Sequence, residues 1–398
     1  MNSNNIKFCH LSALKIHLSL ILVLLPPTLT QRFHVTLAGS SENDTSNENV
    51  TNADNQLRFT VMTINLQAHL RKINAGSLSK RSELFAKAIL RNDADIVLLQ
   101  EATQLAARTI LHHLTAEQNH EMLSWARCGA HRQLKVILAR FPVLPTPNVV
   151  RNKLRTTVAC QLLITLKNTT NQVNSDINST LPILTRSIIV TVANIHLTPL
   201  LYGPEALCPE RPKYLPFGLC LQRDPFSVAI LCEAGRFRQI RRLLRRLKVF
   251  NTTQHSFATG VNNSNGHIYI IGGDLNSPSH LDWINDTRHQ NCGHTMRWPA
   301  SLELETAGYI DSYRVAHPNP RAYPGYTWSS DYTNCGQKQD RIDGIWSYYN
   351  ESSGFGQLRV EQSFVYPNGC PTVEMYKNLW PSDHYAVVTV FSVDYFVY

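Results

Sequence analysis

Residues 270–283 read IIGGDLNSPSHLDW, and this stretch is the starting point for the fold of the whole chain. Its apolar run, which ends at Gly272 and Gly273, is typical of a buried strand, yet Asp274 and Asn276 follow directly. Because alternate residues of an extended chain point to the same side, this spacing predicts that both polar side chains share one face. A buried strand that ends in this way predicts a site for a metal ion, water or phosphate.

Other apolar segments also carry acidic, amide or imidazole residues at a strand end. They are TVMTINL with Asn65, DIVLLQE with Glu101, VTVANIHL with His196, RIDGIW with Asp343, and WPSDHYAVVTVF, in which Asp383 and His384 lie at the start of the strand instead of its end. Each one alone is an ordinary turn or cap residue. Together they predict that strands deliver polar side chains to one rigid edge. Helical patterns alternate with these strands, which indicates the α/β class.

The residue types suit phosphoryl transfer. Glu101, Asn65 and Asp383 offer hard oxygen ligands for Mg²⁺ or Mn²⁺. If Asp343 meets His384 in space, the carboxylate fixes the tautomer of the imidazole and raises its pKa. Phosphoryl transfer needs positioning, charge stabilisation and a group that orients the attacking water. The chain has no Gly-x-Ser-x-Gly motif that would favour a serine hydrolase instead.

The N-terminal segment and the glycosylation signals predict export. Residues 1–30 contain Lys7 and Lys15 and then an apolar run from Ile16 to Leu25. This run is short for a membrane span and fits a secretory signal peptide, with an uncleaved anchor as the alternative. Asn-x-Ser/Thr sequons occur at Asn43, Asn49, Asn168, Asn178, Asn251, Asn262, Asn285 and Asn350. We therefore expect a glycoprotein that is secreted or lies in the secretory-pathway lumen.

The cysteine content agrees with export. Cys9 lies in the signal segment, and an even number remains: Cys128, Cys160, Cys208, Cys220, Cys232, Cys292, Cys335 and Cys370. We expect disulfides among them, although the sequence does not give the pairing. The alternative for Cys160, which lies within the apolar run VACQLLITL, is a buried thiol.

Composition and patterning divide the chain. Residues 31–56 are predicted to be a glycosylated flexible linker and residues 57–398 a catalytic domain, in which 199–232 form a cysteine-containing insertion. The run EAGRFRQIRRLLRRLK predicts an amphipathic helix with Phe237, Ile240, Leu244 and Leu247 on its apolar stripe.

The net charge of +9 favours polyanions such as nucleic acid, an anionic membrane surface or a phosphorylated small molecule. We interpret the arginines of the predicted helix as its solvated outer face. The alternative is a helix that binds nucleic acid or a membrane.

In their order along the chain, TINL, LLQE, NIHL, GGDLN, RIDGIW and SDH resemble the endonuclease/exonuclease/phosphatase superfamily. This superfamily includes DNase I, abasic-site endonucleases, bacterial-type sphingomyelinases and inositol polyphosphate 5-phosphatases. The resemblance runs from about Leu57 to Phe391. It implies a DNase I-like four-layer α/β sandwich, in which two mixed β-sheets pack face to face with helices outside. It also implies a metal-dependent phosphoric ester hydrolase in which water attacks phosphorus in line, with inversion.

Carried over motif by motif, the resemblance implies a metal site. Glu101 would be the principal ligand of Mg²⁺ or Mn²⁺, with Asn65 as its neighbour. Asp383 would support the metal or His384. Whether one or two ions bind stays open.

The resemblance also implies catalytic roles. His384 would be the general base or a residue that stabilises the phosphate, and it would pair with Asp343. Asp274 would orient the attacking water. Asn276 and His196 would bind or polarise the scissile phosphate.

Two departures from the family's patterns bear on the substrate. Between Glu101 and His196 there is no Tyr of the kind that the abasic-site branch supplies to its site, and QDRIDGIW lacks the Trp-Cys pair of the 5-phosphatases. The leading hypothesis is therefore a secreted phosphodiesterase. The alternatives are an extracellular DNase I-like nuclease, a sphingomyelinase-type hydrolase of phospholipid headgroups, and a catalytically silent binding protein. The substrate, nucleic acid or phospholipid headgroup, is undecided; no protein partner is inferred, and a monomer is expected.

Overall fold

Two mixed β-sheets carry the architecture of this computed structural model. The strands are β1 (Gln56–Asn65), β2 (Ile96–Gln100), β3 (Ala126–Cys128), β4 (Lys135–Ala139), β5 (Thr157–Leu166), β6 (Arg186–His196), β7 (His267–Asp274), β8 (Ile310–Asp311), β9 (Trp328–Ser329), β10 (Gln339–Asp340), β11 (Asp343–Asn350), β12 (Phe355–Tyr366) and β13 (Ala386–Tyr395). One sheet has the order β12-β13-β1-β2-β4-β3 and the other β5-β6-β7-β11-β8, while β9 and β10 form a short ribbon.

Helices cover the outer face of each sheet. They are α1 (Leu78–Arg91), α2 (Gln104–Ala116), α3 (Pro204–Leu207), α4 (Pro225–Gln254), α5 (Pro299–Thr306) and α6 (Ser312–Ala316), with a 3-10 helix at Asn285–Thr287. Within the described ranges, no helix has both the length and the apolar character that crossing a membrane requires.

The strand β1 shows how the layers pack. Phe59 and Val61 point into the core between the two sheets, whereas Met62 and Ile64 pack against α1 and α2 on the outer side. A strand that is buried on both faces has a nearly continuous apolar sequence, as TVMTINL has. On the opposite side, α4 and α5 pack on the five-stranded sheet through a third core. The four-layer α/β sandwich that the resemblance implied is confirmed.

The structure describes residues 56–67, 77–116, 125–128, 134–144, 156–166, 186–208, 224–254, 267–329, 339–350, 355–368 and 379–395. The predicted signal segment 1–30 and nearly all of the linker lie outside these ranges. So do Cys220, Cys335, Cys370 and the sequons Asn43, Asn49, Asn168, Asn178 and Asn262, while the side chains of Asn251 and Asn350 are likewise not described.

The segment predicted as an insertion contains helical structure in its described parts. α4 begins at Pro225, earlier than the apolar stripe indicated, because Asp224 accepts hydrogen bonds from the backbone N–H groups of Phe226 and Ser227 at 3.0 and 3.1 Å. An Asp followed by Pro is a strong helix start, and the sequence reasoning overlooked it. Cys208 forms a disulfide with Cys292, outside the segment.

Candidate active site

The carboxyl ends of two parallel strand pairs meet at one edge of the sandwich. β1 and β2 run parallel and end at Asn65 and Gln100, while β6 and β7 run parallel and end with His196 opposite Asp274. β11 runs antiparallel to β7, so its first residue, Asp343, also lies opposite Asp274. The topology therefore gathers side chains from both sheets at this edge.

Asp274 lies at the centre of this edge and is 1% exposed. Its Oδ2 accepts a hydrogen bond from Asn65 Nδ2 at 3.0 Å, which links the two sheets. The preceding Gly273 has φ +141°, and an added Cβ would lie 2.0 Å from the carbonyl oxygen of Ile195. The backbone of β6 therefore approaches β7 more closely than any other residue type would allow.

Asn276 reaches the same edge by a different route from the one predicted. The expectation that Asp274 and Asn276 share one face of an extended chain is wrong, because Asn276 has φ +50° and lies in a turn. The turn is closed by a hydrogen bond from Asn276 N to Asp274 Oδ1 at 2.7 Å. Asn276 Nδ2 donates to the carbonyl oxygen of Leu197 at 3.1 Å, which ties the turn to the segment after β6.

His384 is held in one orientation by its neighbours. Its Nδ1 lies 2.9 Å from Asp343 Oδ2, and its Nε2 lies 3.9 Å from Asp274 Oδ2. Its backbone is fixed as well, since its carbonyl accepts from Trp380 Nε1 at 2.6 Å and its N–H donates to Ser382 Oγ at 3.2 Å. The imidazole thus connects two buried carboxylates from neighbouring strands.

These carboxylates determine the charge of His384. Burial alone would lower the pKa of the imidazole, but Asp343 and then Asp274 outweigh it and raise this pKa to about 10. The two carboxylates therefore favour the protonated form of His384. In this state it can donate a proton or a hydrogen bond but cannot accept a proton from water.

His196 has the opposite character. Its Nε2 lies 3.6 Å from Asp274 Oδ2 and 3.9 Å from Glu101 Oε1. Burial lowers the pKa of this imidazole, although both carboxylates oppose the shift. The edge therefore combines one histidine whose protonated form is favoured with a second whose neutral form is favoured.

The orientation of Asn65 differs from that of an oxygen ligand. Asn65 Oδ1 accepts the backbone N–H of Gln67 at 3.0 Å, whereas Nδ2 faces Asp274 and lies 3.5 Å from Glu101 Oε1. Asn65 thus presents its amide nitrogen to the carboxylates. Glu101 itself follows β2 with φ +49°, a conformation that directs the chain out of the sheet at this edge.

The donor set fits a hard divalent cation. Glu101, Asp274, Asp343 and Asp383 all lie at this edge, and burial raises the pKa of Asp383. Asp383 Oδ2 accepts from Gln67 Nε2 at 2.7 Å. Among the residues that the structure describes, the buried oxygens Asp383 Oδ1 and Asp343 Oδ1 have no hydrogen-bond partner. Buried carboxylate oxygens in such excess are chemically suited to Mg²⁺ or Mn²⁺.

A closer cluster joins Asp274, Asp343 and His384, whose ligand atoms lie within 4.8 Å of one another. A metal bound there would have to displace the proton that both carboxylates hold on His384. The oxygens around Glu101 are therefore the better metal candidates, and His384 remains available for hydrogen bonding.

Lys135 is a residue at this edge that sequence reasoning missed. It lies opposite Gln100 in the antiparallel pair β2–β4 and is buried. Gln100 Nε2 donates to Asn194 Oδ1 of the facing sheet at 2.7 Å, so Lys135 also faces that sheet. Burial lowers the pKa of Lys135 to about 8, while Glu101 opposes the shift. The available signal was a lysine inside the apolar run KVILA.

Aromatic side chains flank His384 on one side. The ring of Trp328 lies 6.4 Å from that of His384, and the ring of Tyr202 lies 5.6 Å from Trp328. The Tyr202 hydroxyl donates to Asp340 Oδ2 at 2.5 Å. Tyr202 belongs to the segment predicted as an insertion, so the first part of that segment contributes to the wall beside the candidate site.

The remainder of the opening stretch has a packing role. His280 lies between Ser301 Oγ, at 3.0 Å from Nδ1, and Glu305 Oε2, at 2.9 Å from Nε2. Trp283 packs edge-to-face on Trp298 at 4.9 Å. Both residues fix the turn that presents Asp274 and Asn276.

Comparison with known proteins places this geometry in context. The model of the Endonuclease/Exonuclease/phosphatase family matches residues 62–384. The uncharacterized protein F14F9.5 of Caenorhabditis elegans is 37% identical over 130 residues, which are 30% of this chain and 38% of that protein. The chain thus matches well under half the length of that relative.

Solved structures are similar at low identity. A humanized D. rerio TDP2 is 14% identical, with 84% of this chain and 98% of that chain covered and a TM-score of 0.45. A truncated Caenorhabditis elegans TDP2 is 15% identical over 84% and 97%, also with a TM-score of 0.45. D. rerio TDP2 in complex with a single-strand DNA product is 14% identical over 84% and 98%, with a TM-score of 0.43. Likeness at this level carries no argument about activity.

Proposed function

The chain belongs to the endonuclease/exonuclease/phosphatase family, whose members are metal-dependent phosphoric ester hydrolases, and from this premise we propose a secreted phosphodiesterase that uses Mg²⁺ or Mn²⁺. The observation that carries the proposal is the buried Asp343–His384 pair at 2.9 Å, whose second imidazole nitrogen lies 3.5 Å from Asn65 Nδ2 and 3.9 Å from Asp274 Oδ2. The Cys208–Cys292 disulfide supports export, because disulfides persist in oxidising compartments.

Glu101 would hold the divalent ion, with Asp383 as a supporting carboxylate. When bound, the ion would neutralise charge on a phosphate oxygen. The amide of Asn65 donates to Asp274 and lies within 3.5 Å of Glu101, and so keeps the two carboxylates in place.

The histidines and Asp274 would perform the remaining steps. His384 would donate to a non-bridging phosphate oxygen, because its pKa of about 10 favours this role over that of a general base. Asp274 would orient the attacking water, since its Oδ2 lies 3.6 Å from His196 Nε2 and 3.9 Å from His384 Nε2 and so is within reach of both histidines. His196 and Asn276 would bind the scissile phosphate from the β6 side.

The test uses bis-p-nitrophenyl phosphate as substrate for the purified full chain. We expect hydrolysis with Mg²⁺ or Mn²⁺, its loss in EDTA, and its loss in His384→Ala and Asp274→Ala. Asp394→Ala is the matched control, because Asp394 pairs with Gln56 at the opposite end of β1. Unchanged activity in both site variants would refute the mechanism. A folded protein that is inactive on every phosphodiester would favour the silent binding protein.

Among the candidate substrates, exposed leucines favour a phospholipid headgroup. Leu200 is 72% exposed and lies four positions after His196. Leu105 is 63% exposed and lies in the first turn of α2, four positions after Glu101. Leu134 is 42% exposed. Its carbonyl oxygen accepts a hydrogen bond at 3.0 Å from the backbone N–H of Ala102, the residue after Glu101. Exposed apolar side chains around a polar site are suited to contact with a lipid surface.

The basic helix does not strengthen the nuclease alternative. α4 connects the end of β6, at the candidate site, to the beginning of β7, at the opposite edge. Its arginine-rich second half therefore lies toward the edge away from Glu101 and His384. Arg241 there pairs with Glu303 at 3.3 Å.

Leu200→Ser tests the lipid substrate. We expect this variant to lose hydrolysis of sphingomyelin in sphingomyelin/phosphatidylcholine vesicles while its hydrolysis of bis-p-nitrophenyl phosphate is unchanged. Ile310→Ser is the matched control, because Ile310 is 56% exposed on β8, the edge strand beyond β11. Equal vesicle activity in both variants, or faster hydrolysis of plasmid DNA or RNA than of vesicles, would contradict the lipid substrate.

A further inference from the structure

Two cysteine side chains meet between the outer strands of the two sheets. Cys128 ends β3, the edge strand of the six-stranded sheet, and Cys160 lies in β5, the edge strand of the five-stranded sheet. Cys128 Sγ lies 3.7 Å from the carbonyl oxygen of Ala159, the residue before Cys160, and neither cysteine forms a disulfide in the structure. Cys128 packs against the core between the two sheets, and Cys160 belongs to that core.

The surroundings of the two thiols differ. Cys160 is 1% exposed and belongs to the core between the sheets, whereas Cys128 is half-buried at the margin of that core. The hydrogen bond with Cys128 and then burial raise the pKa of the Cys160 thiol. An external reagent therefore reaches Cys128 first, and Cys160 reacts with what has formed on Cys128.

We propose that Cys128 and Cys160 form a disulfide that joins the outer strands of the two sheets in the secreted protein. In the first step the Cys128 thiolate attacks a disulfide such as oxidised glutathione, which gives a mixed disulfide and releases one glutathione thiolate. In the second step the Cys160 thiolate attacks the Cys128 sulfur and releases the second glutathione. Two protein thiols are oxidised, one glutathione disulfide is reduced, and the two thiol protons pass to the released glutathiones.

The bond would tie together strands that position the candidate site. β3 pairs with β4, which carries Lys135, and β5 pairs with β6, which ends at His196. The crosslink lies along these strands and away from the reacting groups, with Cys128 opposite Ile137 and Cys160 opposite Val192. Its expected effect is on stability, and it is independent of the proposed phosphoesterase reaction.

Disulfide mapping of the wild-type chain, secreted from eukaryotic cells, tests the proposal directly. The protein is unfolded in N-ethylmaleimide without reductant, digested and analysed by mass spectrometry. We expect the peptides with Cys128 and Cys160 as one linked species that separates on reduction. Alkylation of either cysteine, or a link from either one to a different cysteine, would overturn the proposal.

A variant pair tests the consequence for stability. Cys128→Ala/Cys160→Ala removes both sulfurs, and we expect its Tm to fall by about 5–10 °C relative to the oxidised wild type. When the wild type and the variant are both chemically reduced, most of the difference between their Tm values should disappear, because reduction also breaks Cys208–Cys292 in each of them. A difference that persists in full under reduction would show that lost packing, not a crosslink, causes it. Cys232→Ala, which removes another buried cysteine, is the control for packing.

Discussion

Replacement of Asp343 by Asn tests most directly whether Asp343 keeps His384 in its protonated form. Asn keeps the shape of the side chain and an oxygen that can accept from Nδ1, which lies 2.9 Å from Asp343 Oδ2 in the wild type. It removes the negative charge that most strongly opposes the effect of burial on His384. We therefore expect the pKa of His384 to fall, so that a smaller fraction of the protein carries the imidazolium at neutral pH.

The size of the effect follows from the role assigned to His384. A positioned group that donates a proton or hydrogen bond in the transition state contributes about 10²- to 10⁴-fold to the rate. We expect kcat/KM of Asp343→Asn on bis-p-nitrophenyl phosphate to fall by about this factor at pH 7.5 with saturating Mn²⁺. Because the lowered pKa leaves His384 charged only in acid, the deficit should shrink as the pH is lowered toward 5.

The assay is a series of kcat/KM values from pH 5 to 9, with folding checked by thermal unfolding. Asp394→Asn is the matched control, since Asp394 forms an exposed ion pair with Arg359 at 2.5 Å and is expected to behave like the wild type. If Asp343→Asn keeps wild-type kcat/KM, or loses the same factor at every pH, the charge of His384 is not what Asp343 provides.

Further predictions concern stability and metal affinity. Since the folded-state pKa of His384 is raised to about 10, its proton stabilises the metal-free fold fully below the unfolded pKa of about 6.5 and progressively less up to about 10. In urea titrations with EDTA, the free energy of unfolding should therefore fall more steeply across this pH window for the wild type than for His384→Gln, and equal slopes would contradict the raised pKa. Gly273→Ala should destabilise the protein by more than about 3 kcal/mol or prevent soluble expression, because the added Cβ would lie 2.0 Å from Ile195 O. Gly293→Ala is the control: its φ is +80°, nothing lies within 4 Å of the added Cβ, and it should cost only about 1 kcal/mol. Similar Tm values for the two variants would contradict this. Lys135→Met removes a buried cation near Glu101, so the Mn²⁺ concentration for half-maximal activity should fall about 2- to 10-fold, and an increase would show that Lys135 does not oppose the metal.

The strands could be predicted because their signals are local. IYIIGGD and VTVANIH are continuous apolar runs that end in polar residues, and both are strands that end at the same edge. The start of α4 was missed because its signal is a single cap, Asp224, which hydrogen-bonds Phe226 N at 3.0 Å. Asn276 was placed on an extended chain because a side-chain spacing of two suggests a strand, whereas the hydrogen bond to Asp274 closes a turn.

By itself, the sequence indicated the α/β class, the main core strands and which strand ends carry carboxylates, amides and imidazoles, because periodicity and residue type are properties of neighbouring residues. Only the tertiary structure decided that His384 pairs with Asp343, that Asn65 turns its nitrogen toward Asp274, and that Cys128 packs against the core that contains Cys160. These features depend on distances between residues far apart in the chain and on burial, which exist only after the two sheets have packed together. The stretch around Asp274 shows both contributions. Its residues indicate a polar site, and the pairing of β7 with β6 and β11 places His196 and Asp343 opposite Asp274.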